Sequence, residues 1–203
     1  MKLKQLLNCA LFILTIIFVT GCDFRNPGYE KADNKWTYVS YDEGAGKRII
    51  SLQVDESTFE IMNDKEYAKD KSKVFFQGNQ IEGADSKTFK VLEKGYSCDK
   101  YQVYMDLETV IGANPKHFKL MEYPYSRDEK TIFCGTIPMT VNDKKSFKVT
   151  KKGDMISTEL TTTFIQENPD YSYIDTLKYK GVIYTIDSEA ETTSEKFQGY
   201  KKK

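Results

Sequence analysis

Apolar and polar positions in this chain recur with a period of 29 residues, and three copies lie in register without a gap: Tyr67 to Val91, Tyr96 to Leu120 and Tyr125 to Val149. Each opens on a tyrosine (Tyr67, Tyr96, Tyr125), then a small residue (Ala68, Ser97, Ser126) and an acid (Asp70, Asp99, Asp128). A β-branched residue follows (Val74, Val103, Ile132), then an aromatic one (Phe75, Tyr104, Phe133) and, further on, an apolar one (Ile81, Val110, Met139). A helix-capping type (Asp85, Asn114, Asp143) and a Phe-Lys pair (Phe89-Lys90, Phe118-Lys119, Phe147-Lys148) complete the copy. Asp55 to Ile61 is a worn fourth copy that matches Asp85 to Val91. Self-similarity at a fixed period means that every copy solves one packing problem and buries its apolar face on a neighbour.

Within a copy, the period of two on either side of Lys71-Ser72 predicts a hairpin in which Asp70 pairs with Lys73 and Ala68 faces Phe75. The same register sets Ser97 opposite Tyr104 and Ser126 opposite Phe133, each ring over a small partner. Asp85, Asn114 and Asp143 are N-cap types that predict a short helical turn, with Pro115 at a position where its missing N–H costs nothing. The expected fold is mainly β: tandem antiparallel hairpin repeats of 29 residues, each with a short helical turn, stacked on their neighbours. C-terminal strands are expected over 159–165 and 177–186, around a turn at Asn168-Pro169-Asp170. The β-repeat domain spans 36–186 on this reading, with a polar tether at 22–35 and a charged, aliphatic-poor tail at 187–203 that is expected to be disordered.

The N-terminus changes the setting. Lys2 and Lys4 precede an apolar run from Leu6 to Val19 that is short for a membrane span and ends in Val19-Thr20-Gly21-Cys22. This arrangement resembles a bacterial lipoprotein signal peptide over 1–21, with Cys22 acylated (palmitate-type chains) as the first mature residue. Acyl chains hold a protein to a membrane at about 0.8 kcal/mol per buried methylene, so the mature chain is expected on the outer side of a bacterial cell membrane. Asp23 sits where enteric bacteria read an inner-membrane retention signal.

Charge and cysteines matter once that segment is set aside. The chain holds 30 basic and 30 acidic residues; losing Lys2 and Lys4 leaves 28 against 30, without the basic excess of a nucleic-acid binder. Cys98 and Cys134 then remain, in an oxidising compartment and without metal-ligand spacing, either as a candidate disulfide or as two buried thiols.

The strings Tyr67-Ala68-Lys69-Asp70-Lys71-Ser72-Lys73-Val74-Phe75-Phe76 and Ile81-Glu82-Gly83-Ala84-Asp85 resemble the DKNYY family of bacterial repeat proteins. The third copy departs from the motif with Glu129 for Lys and Cys134 for the second Tyr. The resemblance implies a bacterial, often exported protein and no particular activity.

No nucleophile elbow, phosphate loop or zinc-helix string is present, no cofactor or metal is expected, and the lone His117 aligns with Thr88 and Ser146. The repeated acids fit turn chemistry better than a cation row. Lys90, Lys119 and Lys148 form a third row, read as a solvated face that could meet an anionic envelope polymer. One of the two aromatic rows, Phe75, Tyr104 and Phe133 or Tyr67, Tyr96 and Tyr125, is the candidate binding face, and the other is core. The leading function is therefore a lipid-anchored, non-catalytic module that binds an envelope protein or glycan. A lipoprotein immunity factor against an incoming toxin is the alternative, and a hydrolase with an unrecognised carboxylate site the third.

Overall fold

The computed structural model describes residues 26–203, so the signal segment, Cys22 and Asp23 lie outside the described residues. It builds five small antiparallel sheets in chain order, with a two-stranded sixth inserted in the last. Unit 1 is β1 (Gly28–Ala32), β2 (Lys35–Asp42) and β3 (Gly46–Ser51). Unit 2 is β4 (Glu60–Ile61), β5 (Tyr67–Lys69), β6 (Val74–Phe76) and β7 (Asn79–Gln80). Unit 3 is β8 (Lys90–Val91), β9 (Tyr96–Cys98), β10 (Val103–Met105) and β11 (Glu108–Thr109). Unit 4 is β12 (Lys119–Leu120), β13 (Tyr125–Arg127), β14 (Ile132–Cys134) and β15 (Ile137–Met139). The sequence register holds: Ala68 opposes Phe75, Ser97 opposes Tyr104, and Ser126 opposes Phe133.

Two further units flank these three: unit 1, whose closing loop is the worn fourth copy beginning at Asp55, and unit 5, which exceeds the expected count. Unit 1 reads as a copy because Tyr29 opposes Tyr38 as Tyr67 opposes Phe76. Unit 5 opens on β16 (Lys148–Lys151) and resumes with β19 (Glu189–Glu191), β20 (Lys196–Gln198) and β21 (Lys201–Lys202). Ala190 opposes Phe197 there, in the place of Ser126 and Phe133, but 64 residues on instead of 29, so 35 extra residues intervene. The tail expected to be disordered is thus paired sheet: Phe197 and Tyr200 are buried, and the intervening insertion had hidden the period. The tether is likewise shorter than expected, because Gly28 to Ala32 already form β1.

The insertion comprises β17 (Ile156–Leu160), α1 (Thr161–Glu167), a 3-10 turn (Pro169–Tyr171) and β18 (Gly181–Thr185). The strand expected over 159–165 gives way to helix after Leu160, because Thr161 and Phe164, three apart, both turn inward. β18 docks on unit 4, where the Thr136 N–H donates to Ile183 O at 2.8 Å and the Ile183 N–H to Thr136 Oγ1 at 2.8 Å. Gly135 is required at that contact: its φ is +60°, and a Cβ would stand 2.0 Å from Ile183 O.

The expected helical turn is a single i→i+3 loop at three joints, where the Thr58, Thr88 and His117 N–H groups donate to Asp55, Asp85 and Asn114 carbonyls; at the fourth the Ser146 N–H donates to Asp143 Oδ1 at 3.3 Å instead. Each loop delivers a phenylalanine between two units. Phe59 lies 6.0 Å from Tyr29 and 6.4 Å from Phe75; Phe89, 5.9 Å from Tyr67 and 6.1 Å from Tyr104. Phe118 joins Tyr96 to Phe133 at 5.6 and 6.2 Å, and Phe147 joins Tyr125 to Phe197 at 5.4 and 5.9 Å. Four equivalent joints, each a tilted or edge-on ring trio, hold five units in series.

Candidate functional site

Both aromatic rows named as the candidate binding face are core. Phe75, Tyr104, Phe133, Tyr67, Tyr96 and Tyr125 are all at most 4 % exposed, which overturns that assignment. The reason is geometric: the first row meets the phenylalanine of the preceding unit, and the second stacks against its own unit's phenylalanine. The tyrosine hydroxyls are used internally as well. Tyr29 donates to Glu66 O at 3.1 Å, Tyr67 to Gly95 O at 3.2 Å and Tyr96 to Pro124 O at 2.8 Å, each carbonyl lying just before the next unit's first position. Tyr125 donates to Gly199 O at 3.0 Å and accepts from Ser188 Oγ at 3.1 Å.

The repeated acids are staples, used twice over. Asp99 Oδ1 accepts the N–H groups of Tyr101 and Gln102 in its own turn (2.6 and 2.8 Å), while Oδ2 accepts the N–H of Asp85 in the preceding unit at 2.7 Å and the Tyr104 hydroxyl at 2.9 Å. Asp70 does the same with Ser72, Lys73 and Asp55, and Asp128 with Lys130, Thr131 and Asn114. Burial alone would raise the Asp70 pKa, but the N–H groups of Asp55, Ser72 and Lys73 outweigh it and hold the carboxyl below its usual range. Unit 1, with no unit before it among the described residues, carries Ala32 in this place. Unit 5 splits the role between two side chains. Thr192 Oγ1 accepts from its own turn, and Glu195 Oε2 accepts the Asn142 N–H at 2.9 Å.

A second, smaller staple explains His117. Thr58, Thr88 and Ser146 accept an N–H from the next unit, of Lys71, Lys100 and Thr193 respectively, so His117 stands at a hydroxyl position of the joint. The candidate disulfide is not formed: Cys98 and Cys134 are free thiols in different core clusters. Cys134 occupies the inward position of Phe76 and Met105, and burial pushes its thiol up to about 11. Among the described residues no group of three His, Cys, Asp or Glu side chains could hold a metal, and no helix is long and apolar enough to cross a membrane.

What the array leaves unused lies on the insertion. Of the ten large hydrophobic side chains that are exposed among the described residues, six belong to it or flank it directly: Met155, Ile156, Leu160, Tyr173, Leu177 and Ile186. Between the insertion and unit 5 opens a cleft of about 740 Å³. Asn168, just past α1, fixes its wall: its Nδ2 donates to Phe164 O at 2.8 Å, and the Tyr200 hydroxyl donates to its Oδ1 at 2.9 Å. Tyr200 packs edge-on against Tyr171 (5.8 Å, 86°), and Tyr171 lies at a shallow tilt to Tyr173 (6.1 Å, 31°). Tyr173 is 67 % exposed, a ring presented to solvent on a buttressed base.

Polar groups surround that ring. Glu167, Asp170 and Asn142 line the cleft beside Lys201, and neither Glu167 nor Asp170 has an ion-pair partner among the described residues. Glu195 is spoken for: Lys202 at 2.9 Å holds it below the usual carboxylate range, and Asn142 takes its other oxygen. A flat apolar surface ringed by free acceptors suits a partner that offers both a hydrophobic face and hydrogen-bond donors. Sequence reasoning missed the cleft because its residues come from the insertion, which does not repeat, and from unit 5, which the insertion puts out of phase. The exposed tyrosine after Asn168-Pro169-Asp170 was the signal that could have found it.

The DKNYY family model matches residues 11–108, which supports the resemblance carried by the repeat strings. The match ends on β11, so unit 4, the insertion, unit 5 and the cleft lie beyond it. No curated protein and no solved structure matches the chain.

Proposed function

We propose that this chain is a lipid-anchored, non-catalytic binding module of the bacterial envelope, tethered through Cys22 and engaging a protein or glycan at the insertion. The observation that carries the reading is the contrast in exposure: both aromatic rows of the array are buried, while Tyr173 is displayed at the cleft and Leu160 and Leu177 lie exposed elsewhere on the same insertion. Supporting it is the order of the units: the tether joins unit 1, and the insertion packs on units 3 to 5. A partner would thus be met at the end of the series far from the lipid.

Two measurements test it. Cys22→Ser should move the chain from the membrane fraction to the soluble exported fraction; retention on the membrane would defeat the lipid tether. A photo-crosslinker at Tyr173 in living cells should give a discrete adduct, and the same group at exposed Ile49 on unit 1 should not. Identical adducts from both positions, or none from Tyr173, would count against the insertion as the binding element.

A further inference from the structure

The first two strands of units 2 to 5 carry a row of charged cross-strand pairs, and the row changes character in the middle. Glu60 opposes Lys69 and Lys148 opposes Glu191, as ion pairs at 3.2 and 2.8 Å. In unit 3, however, Lys90 opposes the neutral Cys98, and in unit 4 Lys119 opposes Arg127. Like charges placed directly opposite each other are unfavourable across strands, so the middle of the row is an uncompensated cationic stretch. The outer units show that the same fold accommodates a neutral pair.

A groove coincides with that stretch. In unit 2 the Lys69 ammonium also reaches across the joint to Ser86 O at 3.4 Å. The equivalent residues at the next joint are Cys98, whose side chain is too short to cross, and Pro115. The space left is a groove of about 580 Å³, lined by Cys98, Pro115, Lys87, Lys90, Lys100 and Lys116. Lys87, Lys90 and Lys116 have no acidic partner among the described residues, and Lys100 is shared between Asp85 at 3.6 Å and the Tyr101 ring. Asp99 also borders the groove, but both its oxygens are committed to the staple. The chain as a whole is near neutral, so this concentration of lysines is local.

From this geometry we infer that the groove of unit 3, continued by Lys119 and Arg127 of unit 4, binds a linear phosphate-bearing polyanion. Lysine ammonium groups act on phosphate as point charges with freely turning donors, which suits a flexible chain better than a single rigid anion. Cations continuing over two units match a ligand with charges spaced along its length, and a concave groove fits a strand better than a flat lipid surface. This inference is independent of the cleft beside Tyr173.

The test uses the full chain and fluorescently labelled short-chain polyphosphate. Binding should weaken linearly on a log–log salt plot. Lys90→Ala and Lys116→Ala should each lower affinity about threefold to tenfold, whereas Lys47→Ala on unit 1 should leave it unchanged. The decisive variant is Cys98→Lys, which restores the long side chain of unit 2 and adds a positive charge. Filling the groove should reduce affinity about fivefold or more despite the added charge, and neutral Cys98→Leu should do the same. Tighter binding by Cys98→Lys would overturn the groove, as would equal loss from Lys47→Ala. Vesicles of anionic phospholipid competing as well as polyphosphate would assign the patch to a membrane surface and overturn the strand. Double-stranded DNA competing equally would reduce the patch to unspecific attraction and overturn it too.

Discussion

The array and the insertion are built from similar amino acids and spend them in opposite ways. In the array, one tyrosine supplies a ring to its own unit's phenylalanine and a hydroxyl to the next unit, and one aspartate closes its own turn while holding the preceding unit. In the insertion, Tyr173, Leu177 and Leu160 face solvent, and Glu167 and Asp170 have no ion-pair partner among the described residues. The difference teaches that repetition consumes chemistry. A residue that must satisfy the same joint in every unit has nothing left to offer a partner, so recognition is sought where the period breaks.

That contrast can be broken most severely at a joint ring. Tyr96→Ala should cost about 4 kcal/mol in denaturant melts, from lost burial and a cavity between units 3 and 4; a loss under about 1 kcal/mol would mean the joints are not the source of stability. Asp99→Ala comes next, at about 3 kcal/mol, because it strands three backbone N–H groups and the Tyr104 hydroxyl in a buried place. The same experiment on Glu167 or Asp170 should leave the melt where it was.

A smaller effect sharpens the comparison by an exception within the array. Asp106, in the unit 3 hairpin turn, has its carboxyl pushed up to about 6, by burial first and then by the charge of Glu66. Its folded pKa lies above the unfolded one, so the stabilising protonated form is full below about pH 4 and is lost as pH rises through 6. Asp106→Asn should therefore stabilise the chain by about 1 kcal/mol above pH 7 and by nothing near pH 4, read from melts across that range. Asn also tolerates the positive φ of 52° at this position. A variant equally stable at both pH values would show that the carboxylate is well solvated. A small effect belongs to the insertion: Tyr173→Ala should change the unfolding free energy by less than about 0.5 kcal/mol, although it removes a large ring.

Much of this was legible in the chain because the joints impose strict periodicity. The hairpin register follows from Ala68, Ser97 and Ser126 facing large rings, and the turn role of the acids from their placement after a strand. Less legible was anything set by contact between units. Nothing local to Tyr67 or Phe75 tells whether the neighbouring unit covers one row or both, and only the positions of Phe89 and Phe59 decide it. Unit 5 escaped notice because Glu189 replaces the leading tyrosine and Thr192 the acid, and because the insertion had shifted both out of phase. The groove at Cys98 was hidden differently, as a side chain too short to span a joint that Lys69 crosses.

The staples run in one sense along the chain: the acid of each unit grips the unit before it, and the tyrosine hydroxyl of each reaches the unit after it. A 29-residue segment cut at a joint thus carries a lock at one end and the matching key at the other. Such segments are interchangeable parts. A gene encoding one more copy of residues 96–124 should yield a longer array with every new hydroxyl and carboxylate already matched, so the length of the array can vary by duplication alone while the last joint, with its divided Thr192 and Glu195, stays fixed.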